Sequence, residues 1–453
     1  MTSRQPSSQT PPVQTENASR RPDAEVVDIC RDLITHDTTN YGAGESKGER
    51  ECAERVAEYL AEVGISSELI ETEPRRSTLV AHWEPEGTDS SVPPLLIHCH
   101  TDVVPAVAGD WSVDPFAAEV KDDMLWGRGA VDMKDFDAML LSVVRSRVRE
   151  GRAPRRPIRM VFFADEEAGG ELGSHTLART RPELFNDCTD AISEVGGFSL
   201  TVREDLRLYL VQTAEKGLVW LKLIAEGRAG HGSMRNHENA ITELAGALHR
   251  IGTHRWPDRL HPAQKAFLAE VEDAFGIEVD NDDVEQTLER LGSISRMIGA
   301  TMHNTVNPTM IEGGYKANVI PGRAEAQLDG RFIPGFEQEL IDTVRELAGP
   351  TIQVETTVRR RAVETEFAGG LVEAMRWSLS QEDPHARAVP YLLSAGTDAK
   401  GFEGMDINCF GFAPLRLPPE LDFTALFHGV DERVPLESLE FGARVLDHFL
   451  DRA

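Results

Sequence analysis

Several short apolar segments bounded by turn residues constrain the fold of this chain most strongly. Their lengths are those of buried β-strands, and they lie at 77–82, 95–100, 158–164, 191–193 and 206–211. A helix is predicted between the second and the third of them, because apolar residues recur there at helical spacing from Phe136 to Val144. Strands that alternate with helices predict an α/β domain with a mostly parallel central sheet.

The segment at about 213–359 has a different order of elements. Strands are predicted at 217–225, 305–312, 324–328 and 352–358, and helices at 239–251 and 336–347. Strand–helix–strand–strand–helix–strand is the order of a ferredoxin-like α+β layer. We therefore predict that residues 213–359 form a small domain inserted into a larger one, which consists of residues 22–212 and 360–453. A charged stretch at about 257–291 is predicted to be a helical insertion in the small domain.

The acidic composition narrows the classes of partner. The formal net charge of −29 argues against nucleic acid, because binding to nucleic acid needs a basic face. It also disfavours anionic membranes, and no segment is long and apolar enough to span a bilayer. The five cysteines form no Cys-x-x-Cys pair, which favours a reducing, cytoplasmic location. Residues 1–21 are polar and lack the apolar core of a signal peptide, so we predict a disordered tail.

Histidine and acidic residues follow several of the predicted strands or lie in glycine-rich turns. These residues are His100, Asp102, Asp132, Glu166, Glu167, Glu194 and His428. In open α/β sheets ligands bind outside the carboxyl ends of the strands, so the pattern indicates a functional site. Imidazole and carboxylate groups are good zinc ligands, and no cysteine cluster competes with them. The carboxylate of Asp132 has two oxygens, which suits a role as a bridge between two metals.

Short spacings within this set indicate a division of roles. Glu166 and Glu167 are adjacent, and adjacent residues of an extended chain point to opposite sides. One of them can therefore bind metal while the other acts on water. Asp102 lies two residues after His100 and can accept the imidazole N–H, which fixes the tautomer of the ring. His98 we interpret as a packed strand residue and not as a further ligand.

Several motifs taken together resemble one known family. In chain order they are HCHTDVVP, GRGAVDMK, ADEEAGGELGS, SEVGG, GHGSM, NVIPGRAEAQLDGR, SAGTDA and FHGVDERV. This set is similar to the metallopeptidase family that contains the glutamate carboxypeptidases, aminoacylases, acetylornithine deacetylases and succinyl-diaminopimelate desuccinylases. The resemblance covers nearly the whole chain from about Asp23 onward. It implies a zinc-peptidase-like catalytic domain with an inserted lid that also mediates dimerisation.

The resemblance implies two zinc ions (Zn2+) per chain, with Co2+ or Mn2+ as alternatives. His100, Asp132 and Glu194 would hold one metal. Asp132, Glu167 and His428 would hold the other, so that Asp132 bridges the pair.

The resemblance also implies roles outside the ligand set. Glu166 matches the family's general base, and Asp102 matches the acid that orients the histidine. His231 matches a lid histidine that stabilises the oxyanion and often reaches the active site of the other subunit. Two positions depart from the family's pattern. Asp135 stands where glycine is usual, and the lid motif reaches Arg235 without the proline that often closes it.

The remaining matches concern the substrate. Asn318 and Arg331 match lid residues that hold the substrate carboxylate, and Gly396 and Thr397 match a substrate-side loop. The residues alone leave a second interpretation of Arg331 open, in which it only pairs with a nearby acid, Asp329 or Glu325.

We therefore expect a zinc-dependent hydrolase that cleaves an amide bond of a small carboxylate-bearing substrate, with Glu166 as general base. The expected partners are a small peptide or N-acyl amino acid and a second copy of the chain, in a homodimer formed through the lid. One alternative is an aminopeptidase-type dimetal hydrolase, which would need an acidic group for the substrate amine in place of Arg331. Another is a non-catalytic binding protein with the same fold, which a missing metal ligand would mark.

Overall fold

A computed structural model describes residues 21–42, 45–276 and 298–453. Its α-helices, in chain order, are α1 (Val26–Thr35), α2 (Arg50–Ala61), α3 (Lys134–Glu150), α4 (Ser174–Thr180), α5 (Ala240–Gly252), α6 (Pro262–Phe275), α7 (Glu337–Ala348), α8 (Gly370–Glu382) and α9 (Leu436–Leu450). The predicted tail at 1–21 lies outside the described residues except for Arg21, and so does the part of the predicted insertion at 277–291.

The strands are short and numerous. In chain order they are β1 (Asn40–Gly42), β2 (Glu45–Ser46), β3 (Ser67–Glu73), β4 (Arg76–Trp83), β5 (Leu95–His100), β6 (Glu119–Lys121), β7 (Met124–Trp126), β8 (Ile158–Phe163), β9 (Asp190–Ser193), β10 (Phe198–Arg203), β11 (Leu206–Glu215), β12 (Gly217–Glu226), β13 (Gly230–His231), β14 (Thr305–Gly313), β15 (Val319–Ile320), β16 (Arg323–Phe332), β17 (Ile352–Arg360), β18 (Val363–Glu364), β19 (Ala386–Leu393), β20 (Asn408–Gly411) and β21 (Arg433–Pro435).

The larger domain is built on a mixed sheet with the strand order β10–β11–β20–β9–β5–β8–β4–β3. The four central strands, β20, β9, β5 and β8, are parallel to one another. Strands β4 and β3 continue the sheet in antiparallel fashion at one side, and β11, which pairs with β10, β18 and β19, lies at the other. Every residue of β5 and β8 is buried, as expected for strands covered on both faces. The predicted α/β class with a mostly parallel centre is confirmed.

The parallel centre brings distant residues to one edge of the sheet. His100 is the last residue of β5, Glu194 directly follows β9, and Glu166 lies three residues beyond β8. Because β5, β8 and β9 run in the same direction, their carboxyl ends meet at this edge, and the side chains that follow them are brought together.

Helix α3 fixes the turn that carries Asp132. Most of the helix is buried, including its first residue, Lys134. The Lys134 ammonium donates hydrogen bonds to the carbonyls of Leu33 (3.0 Å) and His36 (2.7 Å), at the end of α1. The carbonyl of Leu33 also accepts the backbone N–H of His36 (3.1 Å). The contact therefore ties α1 to the start of α3, immediately after Asp132.

The inserted segment forms a second, antiparallel sheet with the strand order β14–β16–β12–β17. Helices α5 and α7 pack on it, and their apolar residues share one core with the strands, which includes Leu221, Leu244 and Val344. Numbered within this segment, the order is 2-3-1-4, as the ferredoxin-like prediction requires. The domain limits at 212/213 and 359/360 stay predictions. We call this antiparallel layer the lid.

Helix α6 differs from its predicted place. The sequence assigned its residues to the lid, whereas Phe267, Leu268 and Val271 are buried in the core of the larger domain, and the helix packs against β19. The reason is its apolar stripe, which recurs at helical spacing and is covered by the outer part of the larger sheet. Among the described residues, no helix is long and apolar enough to cross a membrane.

Candidate active site

Asp132 lies between two groups of possible metal ligands. Its Oδ1 atom is 3.2 Å from Nε2 of His100, and its Oδ2 atom is 3.2 Å from Nε2 of His428. On the first side, Oε2 of Glu194 lies 3.4 Å from the same nitrogen of His100. On the second side, Oε2 of Glu167 lies 3.1 Å from Nε2 of His428. The structure thus brings the predicted ligands together, with one carboxylate oxygen of Asp132 turned toward each histidine. Glu166 also lies close enough to His100 and Glu194 to share a metal with them.

Both histidines present Nε2 to the carboxylates. The Nδ1 atom of His100 is 3.0 Å from the backbone carbonyl of Asp102. A carbonyl can only accept, so Nδ1 would keep the proton in a neutral ring, which leaves Nε2, the nitrogen nearest Asp132 and Glu194, as the atom that can bind a cation. His428 is held with φ at +57°, in the left-handed region that residues other than glycine seldom adopt.

The adjacent glutamates face different neighbours. Oε2 of Glu167 is turned to His428, whereas Oε2 of Glu166 lies 4.0 Å from Nε2 of His100. The two side chains follow β8 in a short 3-10 helix that begins at Glu166. This geometry is compatible with the predicted division of labour within the pair.

Asp102 holds the backbone of that glutamate pair. Its buried carboxylate accepts hydrogen bonds from the backbone N–H groups of Glu166 (3.1 Å) and Glu167 (3.2 Å), and from the side-chain amide of Asn40 (2.9 Å). Its Oδ1 atom also lies 3.5 Å from Nδ1 of His100. The residue predicted to orient His100 therefore also fixes the turn that carries the glutamates.

The site contains more carboxylates than cationic groups. Burial, followed by the charge of Asp132, raises the pKa of Glu167 to about 7, and burial and Glu194 raise that of Glu166 well above its usual value. Hydrogen bonds to Asp132 and Glu167 raise the pKa of His428 to about 10. Oε1 of Glu167 is buried without a hydrogen-bond partner. A cluster of imidazole and carboxylate donors with excess negative charge, buried except for His428, fits divalent cations such as zinc.

A cavity of about 590 Å³ opens beside these ligands. One part of its wall consists of the acidic residues and His428, and the rest is mostly apolar. The apolar part is formed by Val195, Ala300, Leu393, Ala395, Ala425 and Phe427. The cavity therefore offers a compartment for an apolar group next to a cluster that can hold metal.

The sequence model of peptidase family M20/M25/M40 matches residues 96–452. The chain belongs to this family. A probable carboxypeptidase S-like 2 of Dictyostelium discoideum is 28% identical over 388 residues, which are 80% of this chain and 71% of that protein. Aminoacylase-1 of Sus scrofa is 27% identical over 398 residues, 84% of each chain. Membership of this peptidase family confirms the prediction of a hydrolase that acts on peptide or amide bonds.

Solved structures of the M20 family share the fold. A metallo-carboxypeptidase from Sulfolobus solfataricus has a TM-score of 0.70 at 17% identity, over 94% of this chain and 99% of that one. A dinuclear metal-binding peptidase from Bacillus subtilis has a TM-score of 0.58 at 12% identity, over 95% and 97% of the two chains. The fold expected from the motifs is therefore confirmed.

The predicted lid residues of this M20 chain lie away from the cavity wall. Among the described residues of the inserted segment, Ala300 alone lines the cavity. His231 and Asn318 are exposed, and Nδ1 of His231 is 2.8 Å from the hydroxyl of Ser233. Arg331 donates to both carboxylate oxygens of Asp329, at 2.7 and 3.0 Å. Within one chain, Arg331 thus pairs with a nearby acid, as the second interpretation of this residue had it.

The substrate-side loop is only partly placed as predicted. Gly396 lines the cavity. The side chain of Thr397 instead turns inward, where its hydroxyl donates to Oε1 of buried Glu215 (2.6 Å) and accepts from the N–H of Ala399 (3.2 Å). Thr397 therefore holds the loop from behind. The reason is local, because a threonine before a 3-10 helix caps it with its side-chain oxygen.

Two predictions outside the ligand set have clear outcomes. His98 is packed against the rings of Phe163 and Phe402, and burial lowers its pKa to about 3. It is the packed strand residue that we expected. Asp135, the departure from the family's pattern, is buried in the first turn of α3, and burial raises its pKa well above the usual value.

Glu432 was missed by the sequence reasoning. Its buried Oε1 accepts hydrogen bonds from the backbone N–H groups of Gly129 (3.1 Å), Val131 (2.7 Å) and Asp132 (3.3 Å), while Oε2 pairs with Arg128. Burial raises its pKa to about 7. Glu432 thus holds the turn that presents Asp132. Its position in the motif FHGVDERV, four residues after His428, was the available signal.

A buried network behind the glutamate pair was also missed. Arg76 donates to Glu49 (3.0 Å) and Asp165 (2.8 Å), and Asn40 donates to both Asp165 (3.2 Å) and Asp102. These five residues are spread over the chain from 40 to 165, and no single motif contains them all. Only the tertiary structure shows that they support the turn at the end of β8.

Proposed function

We propose that this chain is a two-zinc hydrolase that cleaves the amide bond of a small peptide or N-acyl amino acid next to a free carboxylate. The observation that carries the proposal is the position of Asp132, whose two oxygens face His100 and His428 on opposite sides. The similarity to aminoacylase-1 and to a carboxypeptidase S-like protein supports the substrate class.

The ligand sets follow from the two groups of donor atoms. His100, Asp132 and Glu194 would hold one cation, and Asp132, Glu167 and His428 the other. When bound, such cations polarise the scissile carbonyl and lower the pKa of the attacking water.

Glu166 is the proposed general base. It is not needed as a ligand in this assignment, it lines the cavity, and burial together with the charge of Glu194 raises its pKa. A carboxylate with a raised pKa accepts a proton from water and can then give it to the departing amine nitrogen. Asp102 keeps the base in place through the backbone N–H of Glu166.

The proposal includes a preference for substrates with a free carboxylate, and a comparison of substrates tests this preference. We expect an N-acyl amino acid to have at least a roughly 10-fold larger kcat/KM than its methyl ester or amide, because one lost charged hydrogen bond costs about that much. In this proposal Arg331 exchanges Asp329 for the substrate carboxylate when substrate binds. Arg331→Lys is therefore expected to lose most of this preference, since an ammonium cannot replace the guanidinium fork. Arg323→Lys is the matched control, because Arg323 lies on the same strand and pairs with Glu325.

Two outcomes would contradict the carboxylate preference. Equal cleavage of acid and ester would show that the lid does not select a carboxylate. Preferential cleavage of peptides that have a free amine and a blocked carboxyl end would instead support the aminopeptidase alternative, with an acid such as Asp329 as the group that holds the amine.

We also propose that the chain forms a homodimer through the lid. Strand β14 is an edge of the lid sheet and exposes Met310 and Ile311, which lie on its opposite faces. A long exposed edge strand favours pairing, and a second copy would cover it. His231, exposed in one chain, would then contribute to the active site of the other subunit.

Mixed dimers test this arrangement. Inactive His231→Ala and inactive Glu166→Ala subunits, exchanged with each other, are expected to recover up to about a quarter of the native activity, because half of the dimers carry one intact site of two. Failure to recover activity despite demonstrated hybrid dimers would place His231 outside the chemistry of the other subunit.

The state of the cysteines is the basis for a proposed cellular location. Each of the five is buried and unpaired, and burial raises the pKa of Cys52 and Cys188 to about 12. Unpaired thiols are typical of reducing compartments, so we propose a cytoplasmic location.

A further inference from the structure

One of the connections between the two sheets is a single buried residue. Strand β11 of the larger sheet ends at Glu215, strand β12 of the lid begins at Gly217, and Lys216 alone separates them. Glu215 is 0% exposed and Lys216 is 1% exposed. Adjacent residues in extended backbone point to opposite sides, so the carboxylate and the ammonium reach different parts of the molecule.

Glu215 holds the substrate-side loop. Its carboxylate accepts hydrogen bonds from the backbone N–H (3.1 Å) and the hydroxyl (2.6 Å) of Thr397, and it lies 3.4 Å from the ammonium of Lys400. Gly396, the preceding residue, lines the cavity, and a Cβ atom there would collide with that ammonium. The loop at 396–400 is therefore fixed from behind by Glu215.

Lys216 holds a second part of the cavity wall. Its ammonium donates hydrogen bonds to the backbone carbonyls of Ala300 and His303, at 2.6 Å each. Ala300 lines the cavity. Asn304, which follows His303, accepts a hydrogen bond from the N–H of Ile333 (3.0 Å) and donates one to the carbonyl of Phe336 (3.1 Å), where the chain leaves β16. Lys216 thus fixes the segment at 300–304, which directly precedes lid strand β14.

A buried lysine would not be held here by apolar packing alone. Burial, followed by the charge of Arg331, lowers the pKa of Lys216 to about 7, which shows that the site is costly for an ammonium. The two carbonyls that it binds offset this cost, and they would be left without a donor if the ammonium were removed.

We propose that Glu215 and Lys216 are positioning residues that determine which substrates fit, because they fix two segments of the cavity wall from the junction of the two sheets. Glu215 sets the Gly396 segment and Lys216 sets the Ala300 segment. This inference rests on the proposed function, since the cavity that it concerns is the one beside the proposed zinc ligands.

The test uses Lys216→Met and Thr397→Val, each in the full-length, zinc-loaded protein. Thr397→Val removes one hydroxyl at nearly constant volume and so loosens the link to Glu215. Lys222→Met is the matched control, because Lys222 lies on β12 and pairs with Glu325. Two properties are measured: the kcat/KM values for N-acetyl-alanine, N-acetyl-leucine and N-acetyl-phenylalanine, and hydrogen–deuterium exchange in the segments 298–304 and 394–400.

Both variants are expected to flatten the native preference among the three substrates by about 10-fold, since pocket shape discriminates side chains by roughly this factor or more. The change should lie in KM, with kcat for the best substrate altered less than about threefold. Exchange should rise in 298–304 for Lys216→Met and in 394–400 for Thr397→Val. A merely structural role would lower the active fraction and leave the ratio of kcat/KM values unchanged.

Unchanged substrate ratios in both variants would overturn the proposal, and so would exchange that rises equally in both segments. If Lys216→Met does not fold, Thr397→Val still tests the inference at the other segment. If the native protein hydrolyses neither these substrates nor small dipeptides, the proposed function fails. Hydrogen exchange then decides separately whether the junction fixes the two segments, and an absence of local change in either variant would refute it.

Discussion

Replacement of Glu166 by glutamine is expected to lower kcat by at least about 10²–10⁴-fold while the protein retains its bound metal. Glutamine keeps the shape of the side chain and cannot accept the proton of the attacking water. The backbone N–H of residue 166 still binds Asp102, so the turn should persist. In the proposed ligand sets Glu166 binds no cation, which is why the metal content should stay at the native value.

The neighbouring Glu167→Gln variant is the matched control. The two residues share one turn and differ in what they face, since Oε2 of Glu167 is turned to His428. Glu167→Gln is expected to weaken metal binding, and its activity should partly return at high zinc concentration. Loss of metal from Glu166→Gln together with retention by Glu167→Gln would reverse the assignment of the pair.

Asp132→Ala is expected to reduce bound zinc from two equivalents per chain to nearly none. Its two oxygens face both histidines, so one substitution removes a ligand from both positions and leaves two cations without the charge between them. Elemental analysis after dialysis against a zinc buffer measures the effect. The fold should be retained, because the backbone N–H of residue 132 still binds Glu432.

Glu194→Ala serves as the comparison for this variant. Glu194 lies only on the His100 side, so its removal should weaken one position and leave the other occupied. An Asp132→Ala protein that keeps one full equivalent of zinc would show that Asp132 does not bridge the two positions.

The sequence predicted well that the candidate metal ligands would lie together, for a physical reason. Parallel strands end at one edge of a sheet, so the residues that follow them must meet, whatever the details of packing. His100 ends one such strand, and Glu167 and Glu194 follow two others. The alternation of apolar segments that predicted the strands therefore also predicted the site.

The lid and the substrate-side loop were less predictable. The contacts of Arg331 depend on whether Asp329 or a substrate offers the nearest carboxylate, and within one chain it is Asp329. The direction of Thr397 depends on Glu215, which lies far away in the sequence. A motif predicts the residue type at such positions, whereas the contacts of that residue depend on the tertiary structure.

The residues that support the site also differ in how far the sequence could predict them. Glu432 lies in a motif that already contained His428, so a closer reading of that motif would have found it. The network of Arg76, Glu49 and Asp165 has no local pattern, because its members meet only after β4 and β8 pair. Long-range ion pairs of this kind are set by the fold.

Titration of the metal-free protein with zinc, with hydrolysis of an N-acyl amino acid followed at each addition, tests the central proposal most directly. We expect binding to saturate at two equivalents per chain and full activity to require both. Saturation at one equivalent, or full activity in the metal-free protein, would contradict it.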